Sequence, residues 1–240
     1  SESLYLLQQD QKRRALSMNS GNLLEVKDLS VIFGDINRKG KGFKAVNNVS
    51  FILKKGETLG LVGESGCGKT TLGRTIIRLQ KESSGNVLLN GIDLCRINSS
   101  QLRPLRRQMQ MIFQNPYSSL NPRMTVQEII AEPFTGKISR EEKIERVSRL
   151  MMQSGLDPEM MRKFPHEFSG GQRQRIAIAR SIAADPMLII ADEPVSSLDV
   201  SVQAQILNLL KSLRDSLSLT MLFISHDLSV VRYISQRVAV

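Results

Sequence analysis

The sequence predicts an α/β fold built around a buried parallel sheet. Three observations lead to it. Residues 58–62, 187–191 and 221–225 are short, continuous apolar runs of the kind found in strands covered on both faces. Segments with helical periodicity alternate with them: Leu72, Ile76 and Leu79 in one, and Val202, Ile206, Leu209, Leu210 and Leu213 in another. The first apolar run also passes through a glycine-rich turn directly into its helix, as in folds that bind ligands at the carboxyl edge of a parallel sheet.

The chain begins with residues 1–22, a mixture of Gln, Ser, Lys and Arg around one apolar patch at residues 4–7, which reads as a linker or tail. Residues 23–240 read as one large domain. Leu29, Val31 and Phe33, then Val49, Phe51 and Leu53, alternate as half-buried strands do, and the Gly- and charge-rich residues 34–44 between them read as a loop. An antiparallel β subdomain is expected there. In the middle of the chain, Ser139 and Glu142 form a capping box ahead of Ile144, Val147, Leu150 and Met151, and Gly155 stops that helix. Residues 115–178 are taken as a helical insertion. The last residues, RVAV, resemble a strand still forming, so the chain is expected to be an excised fragment truncated at its C-terminal end.

Gly63, Gly68, Lys69 and Thr70 satisfy GxxxxGK[ST] between an apolar strand and a helix. Backbone N–H groups from Gly63, Glu64, Ser65, Gly66, Cys67 and Gly68 can close around a phosphate, Lys69 can neutralise its oxygens, and Thr70, followed by Thr71, can offer a hydroxyl to Mg²⁺. The pattern predicts the phosphate loop of a P-loop NTPase (RecA-like) core, with a nucleoside triphosphate as the expected ligand. Downstream, the apolar run 188–191 ends in two acids. Asp192 suits Mg²⁺, and Glu193 suits a base that polarises water. His226 ends the next apolar run and falls on the same sheet edge.

A second phosphate cradle is written into FSGGQRQR, residues 168–175, where Ser169, Gly170, Gly171 and Gln172 open a helix with free N–H groups. One bound nucleotide does not obviously require two cradles.

Composition narrows the function further. With 41% hydrophobic and 23% charged residues the chain is an ordinary globular protein, and two cysteines are too few for a zinc site or a disulfide framework. No apolar run approaches the ~20 residues of a spanning helix. With so few cysteines the cytosol is the default expectation, and no signal peptide is visible. The formal net charge of +10 would suit nucleic acid or an anionic surface. Arg96, Arg103, Arg106 and Arg107 carry no interleaved aromatics, which favours a solvated, membrane-facing or partner-facing surface over a nucleic-acid groove, with no nucleic acid expected.

Taken in order, the phosphate loop, Gln114 in MIFQ, FSGGQ, LIIADEP, SSLD and SHD resemble the nucleotide-binding domain of ABC transporters. The resemblance implies an ATPase working with ATP and Mg²⁺ as a head-to-tail dimer, and it explains the second cradle: Ser169, Gly170, Gly171 and Gln172 would serve the ATP of a neighbouring domain. It further implies that Gln114 senses Mg²⁺ and the attacking water. Ser197, Leu198 and Asp199 would line the dimer seam, and His226 would contact the γ-phosphate and orient Glu193. An aromatic residue would stack on adenine, Phe33 in the first place with Phe43 as competitor. Residues 109–134 and 164–210 are similar to the oligopeptide, dipeptide, nickel and glutathione importer ATPases. That implies permease subunits as partners, an extracytoplasmic solute-binding protein acting indirectly, and a peripheral position on the cytoplasmic face of the inner membrane. The start of the chain also fits the second half of a fused two-domain ATPase. The segment 115–124, with its two prolines, is expected to be irregular and to help line the groove that receives a permease helix. Two other readings compete: a soluble ABC ATPase acting on ribosomes or DNA, and a nucleotide-binding subunit without turnover.

Overall fold

A computed structural model describes residues 21–34 and 42–240. The tail assigned to the start of the chain and most of the loop after Phe33 lie outside the described residues. The strands are β1 (Asn22–Phe33), β2 (Phe43–Lys54), β3 (Thr58–Val62), β4 (Ser84–Leu89), β5 (Ile92–Asp93), β6 (Met109–Ile112), β7 (Leu188–Asp192), β8 (Thr220–Ser225) and β9 (Arg237–Ala239). The helices are α1 (Lys69–Ile76), α2 (Ser99–Gln108), α3 (Pro116–Ser119), α4 (Val126–Ala131), α5 (Arg140–Gln153), α6 (Gly170–Ile182), α7 (Val200–Leu217) and α8 (Leu228–Ile234).

Two sheets result, one in the order β2-β1-β4-β5 and one in the order β6-β7-β8-β3-β9. The first is antiparallel where β1 meets β2 and β4, as the alternation in the sequence predicts. The second is parallel throughout. Its central strands bury both faces, which explains their unbroken hydrophobicity. Leu188 and Ile190 of β7, with Leu222 and Ile224 of β8, face a core shared with the antiparallel sheet and α1. Ile189, Ala191, Met221 and Phe223 face the opposite side, against Ile206, Leu210 and Leu213 of α7 and Val231 and Ile234 of α8. Fully burying a side chain of the size of Phe223 contributes about 1.5–3 kcal/mol.

A third core joins Val126, Ile129 and Ile130 of α4, Val147 and Met151 of α5, and Ile176 and Ala179 of α6. Helix α6 also sends Ile178 and Ile182 into the core below the parallel sheet. It is therefore the bolt between the helical layer and the sheet.

Three local expectations need correction. Leu79 is not part of the helix that starts in the phosphate loop: α1 ends at Ile76, Arg78 turns to φ 60°, and Leu79 is 54% exposed. Residues 116–119 form a short helix rather than an irregular segment, because Pro116 occupies a first-turn position that needs no N–H and the Asn115 side chain caps Tyr117 N. At the start of α5, Ser139 Oγ accepts from Glu142 N at 3.1 Å, but among the described residues Glu142 makes no return bond. The full reciprocal box appears instead at Asn98 and Gln101, at Thr125 and Glu128, and at Ser169 and Gln172.

Candidate active site

The site lies where parallel register brings separate stretches of sequence level with one another. Ile112 of β6 pairs with Ala191 of β7, and Asp192 pairs with Ile224 of β8. Continued two residues along, the same register sets Gln114 beside Glu193, with His226 just past the end of β8. Val62 of β3 pairs with Ser225, so the phosphate loop leaves the sheet beside His226. An open groove of about 950 Å³ runs along this edge, lined by Ser65, Gly66, Gly68, Lys69, Thr70 and Thr71 of the loop, by Gln114, Glu193 and His226, and by Gly170 of α6.

The loop is held in shape by its own lysine. Lys69 Nζ donates to the carbonyls of Gly63 at 2.8 Å and Glu64 at 2.6 Å, and lies 3.7 Å from Cys67 Sγ. Gly68, the N-cap of α1, has φ 98°. A Cβ there would stand 1.9 Å from the Ala45 carbonyl oxygen, so only glycine fits. Gly63 and Glu64 thus hold the lysine through their carbonyls, while Cys67 is exposed beside it. Thr70 Oγ1 donates to Asp192 Oδ1 at 3.0 Å. Burial pushes the Asp192 carboxyl above the ordinary aspartate range, opposed by the bond from Thr70. Among the described residues no cluster of three His, Cys, Asp or Glu side chains could hold a metal. A hydroxyl beside one carboxylate is the sparse donor set that suits Mg²⁺, which keeps water and phosphate oxygens for most of its positions.

Glu193 occupies the centre. Its Oε2 accepts from Gln114 Nε2 at 2.9 Å, and its Oε1 lies 3.2 Å from His226 Nδ1. Its φ of 47° is unusual for a side chain of this kind, yet its N–H still bonds Ile224 O at 2.9 Å. The backbone turns out of the strand while remaining in the sheet.

At α6, Ser169 Oγ accepts from Gln172 N at 3.3 Å, and Gln172 Oε1 accepts from Ser169 N at 2.9 Å. That box satisfies two of the donors at this terminus. The amides of Gly170 and Gly171 take no partner among the described residues, and the Ser169 hydroxyl can still donate. An added Cβ at Gly171 would meet Val202 Cγ1 at 2.5 Å, so a side chain there would have to displace Val202. Asp199, assigned to a dimer seam on resemblance, has a local task as well: it caps α7, accepting from Val202 N at 3.0 Å and Ser201 Oγ at 2.8 Å, and these bonds hold its carboxyl below the ordinary range. Phe33 and Phe43 are cross-strand partners at the end of the β1–β2 hairpin, and both line the groove. Neither geometry nor exposure gives Phe33 the position to itself.

Sequence reasoning missed Arg173 and Arg180, which tie α6 to the segment after Gln114. Their spacing of seven on one helix was the available signal.

A profile of the ABC transporter family matches residues 46–196. The oligopeptide transport ATP-binding protein AppF of Bacillus subtilis is 53% identical over 229 residues, covering 92% of this chain and 70% of that protein. The oligopeptide transport ATP-binding protein OppF of Escherichia coli is 51% identical over 227 residues, covering 91% and 68%. Among solved structures, the dimeric ATP-binding cassette MJ0796 in a post-hydrolysis state bound to ADP and Pi superposes with a TM-score of 0.79 at 29% identity, covering 90% of this chain and 93% of that one.

Proposed function

The chain belongs to the ABC transporter family of ATPases, and from that premise we propose that it is the motor subunit of an importer for peptides or related small solutes. In this reading residues 23–240 form the ATPase domain with a helical insertion at about residues 115–178. A second nucleotide-binding domain, identical, paralogous or fused, faces it head to tail. Permease subunits hold the pair at the cytoplasmic face of the inner membrane, and a solute-binding protein acts through them. Among the described residues no helix is long and apolar enough to cross a membrane, so a membrane position would come through partners.

The observation that carries the reading is the convergence of Gln114, Glu193 and His226 on the edge that also bears Lys69 and Thr70, while the amides of Gly170 and Gly171 stand open on α6. The loop residues 63–71 would cradle the phosphates, with Lys69 turning a donor toward them. Bound Mg²⁺, held by Thr70 and Asp192 with the Gln114 carbonyl oxygen, would neutralise charge on the β and γ oxygens. Glu193, steadied by Gln114 and His226, would polarise the attacking water. Phe33 would stack on adenine, with Phe43 beside it. Ser169, Gly170, Gly171 and Gln172 would complete the γ-phosphate site of the facing domain, where a helix N-terminus favours an anion.

Concentration tests this directly. ATP turnover per molecule should rise steeply with protein concentration, and the chain should copurify with membranes when coexpressed with a peptide permease. A rate that stays flat on dilution to nanomolar would make the monomer competent, and copurification with ribosomes instead would replace the transport reading.

A further inference from the structure

Helix α6 grips α3 with two arginines. The Arg173 guanidinium lies over the Tyr117 ring, 3.8 Å from its centroid, and Nη2 donates to the Tyr117 hydroxyl. Two turns later, Arg180 Nη1 donates to the Ser119 carbonyl at 2.6 Å, at the last residue of α3. Positions seven apart share a helix face, so one face of α6 holds both ends of the four-residue α3.

The Tyr117 contact is not core packing. Tyr117 is 62% exposed, whereas Arg173 is 9% exposed and supported otherwise by the Pro165 carbonyl at 3.2 Å, with no partner for its Nε among the described residues. A buried cation with so few partners gains from an aromatic face and a hydroxyl, and an arginine fork fits both. The contacts extend in both directions. Arg173 N donates to Ser169 O at 2.9 Å, at the N-cap of α6. On the other side α3 follows directly on Gln114, whose amide donates to Glu193. An unbroken series of bonds therefore joins the carboxylate of one site to the helix terminus that bears Ser169.

We propose that Tyr117 and Arg173 are positioning residues that fix the direction in which α6 presents its N-terminal amides, and so determine how firmly this chain clasps the nucleotide of a second copy. The inference rests on the head-to-tail reading above, and it gives Tyr117 a task inside the chain in place of one at a permease groove.

The test separates the two sites of one chain. In a Glu193→Gln background, ATP-dependent dimerisation of the whole chain is followed by light scattering, and nucleotide binding by dilute monomer is followed with a fluorescent ATP analogue. Tyr117→Leu should raise the concentration for half-dimerisation about tenfold, equivalent to about 1.4 kcal/mol; because Tyr117 also lines the groove, unchanged monomer affinity is expected of Arg173→Lys, whose side chain does not. Tyr117→Phe keeps the ring face and should fall between parent and Leu. Arg173→Lys keeps the charge without the planar fork and should match Leu, and the double variant should be no worse than either single one. A half-dimerisation concentration within twofold of the parent in Tyr117→Leu would overturn the inference. So would a loss of nucleotide affinity in the dilute Arg173→Lys monomer, or normal dimerisation combined with weakened permease association. If the parent itself fails to dimerise with ATP, the head-to-tail reading falls and takes this inference with it. Tyr117 is mainly in solvent, so its variants should melt with the parent; an equal fall in thermal midpoint and dimerisation would mark a merely structural role.

Discussion

Gly66 and Gly68 lie two residues apart in the phosphate loop, both at positive φ, yet alanine should have quite different effects at the two. At Gly66, φ is +82° and an added Cβ would meet nothing within 4 Å. Only the backbone preference is lost, about 1 kcal/mol. At Gly68, φ is +98° and the Cβ would stand 1.9 Å from the Ala45 oxygen and 3.0 Å from the Ala45 carbonyl carbon. A normal carbon–oxygen contact is about 3.3 Å or more, so the loop or β2 must yield by more than about 1 Å. The obstacle is main chain in a paired strand and not the end of a flexible side chain. Overpacking adds about 1–3 kcal/mol to the backbone term, for a total of about 3 kcal/mol. In a chain of this length each kcal/mol lowers the thermal midpoint by about 2–4 °C. Gly68→Ala should therefore melt about 6–12 °C below the parent and Gly66→Ala about 2–4 °C below. Displacing the N-cap of α1 by about 1 Å should also weaken the functional geometry on the order of 100-fold. Scanning fluorimetry and a titration with a fluorescent ATP analogue measure both effects. Equal melting of the two variants would refute the steric account of Gly68.

Glu193→Gln should abolish turnover and retain ATP binding, giving an ATP-trapped dimer, since the cradle survives and only the water-polarising carboxylate is lost; turnover at the parental rate would exclude Glu193 as the base. Cys67 is exposed and lies 3.7 Å from Lys69 Nζ, so a maleimide there should block nucleotide binding and Mg-ATP should protect the thiol, as mass spectrometry of the labelled chain would reveal; labelling unchanged under saturating ATP would contradict this. Asp199→Ala should lower the thermal midpoint through its lost cap on α7, whereas Asp199→Ser keeps the cap and should restore it. If Asp199→Ser still turns over slowly, its carboxylate acts at the seam; full activity would leave it a helix cap alone.

The strands at the centre were legible because burial on both faces demands unbroken apolar runs, and β3, β7 and β8 show them. The phosphate loop was legible because few sequences reconcile a turn, an open backbone and a lysine. Helix α2 was not, since Arg103, Arg106 and Arg107 read as surface charge and Pro104 lies inside the helix, leaving Leu102 as its one buried residue. Strands β4 and β5 were also missed: β4 is exposed or half-buried at Ser84, Gly85 and Asn86, and β5 has two residues. Helix α3 was hidden behind its own proline, which argues against a helix interior and equally for a first turn. The contact of Gln114 with Glu193 spans 79 positions and comes from parallel register, which no local pattern encodes.

The backbone of Glu193 shows why this register matters for chemistry. An αL residue with a side chain costs on the order of 1 kcal/mol and persists where its surroundings over-determine it. Here two bonds and one close contact do so: the N–H donates to Ile224 O, Oε2 accepts from Gln114, and Oε1 lies 3.2 Å from His226 Nδ1. Two of these partners end neighbouring strands, one on each side of β7, so the strain follows from aiming a single carboxylate across the whole edge of the sheet. An aspartate, one methylene shorter, would not span both neighbours from the same Cα. Each carboxylate oxygen retains a further lone pair, so both contacts can persist while one water is accepted from the groove. If Glu193 is the base, as proposed, its carboxylate would be held in place before any substrate arrives, and the reorganisation a mobile base would need at the moment of reaction would already have been met in folding.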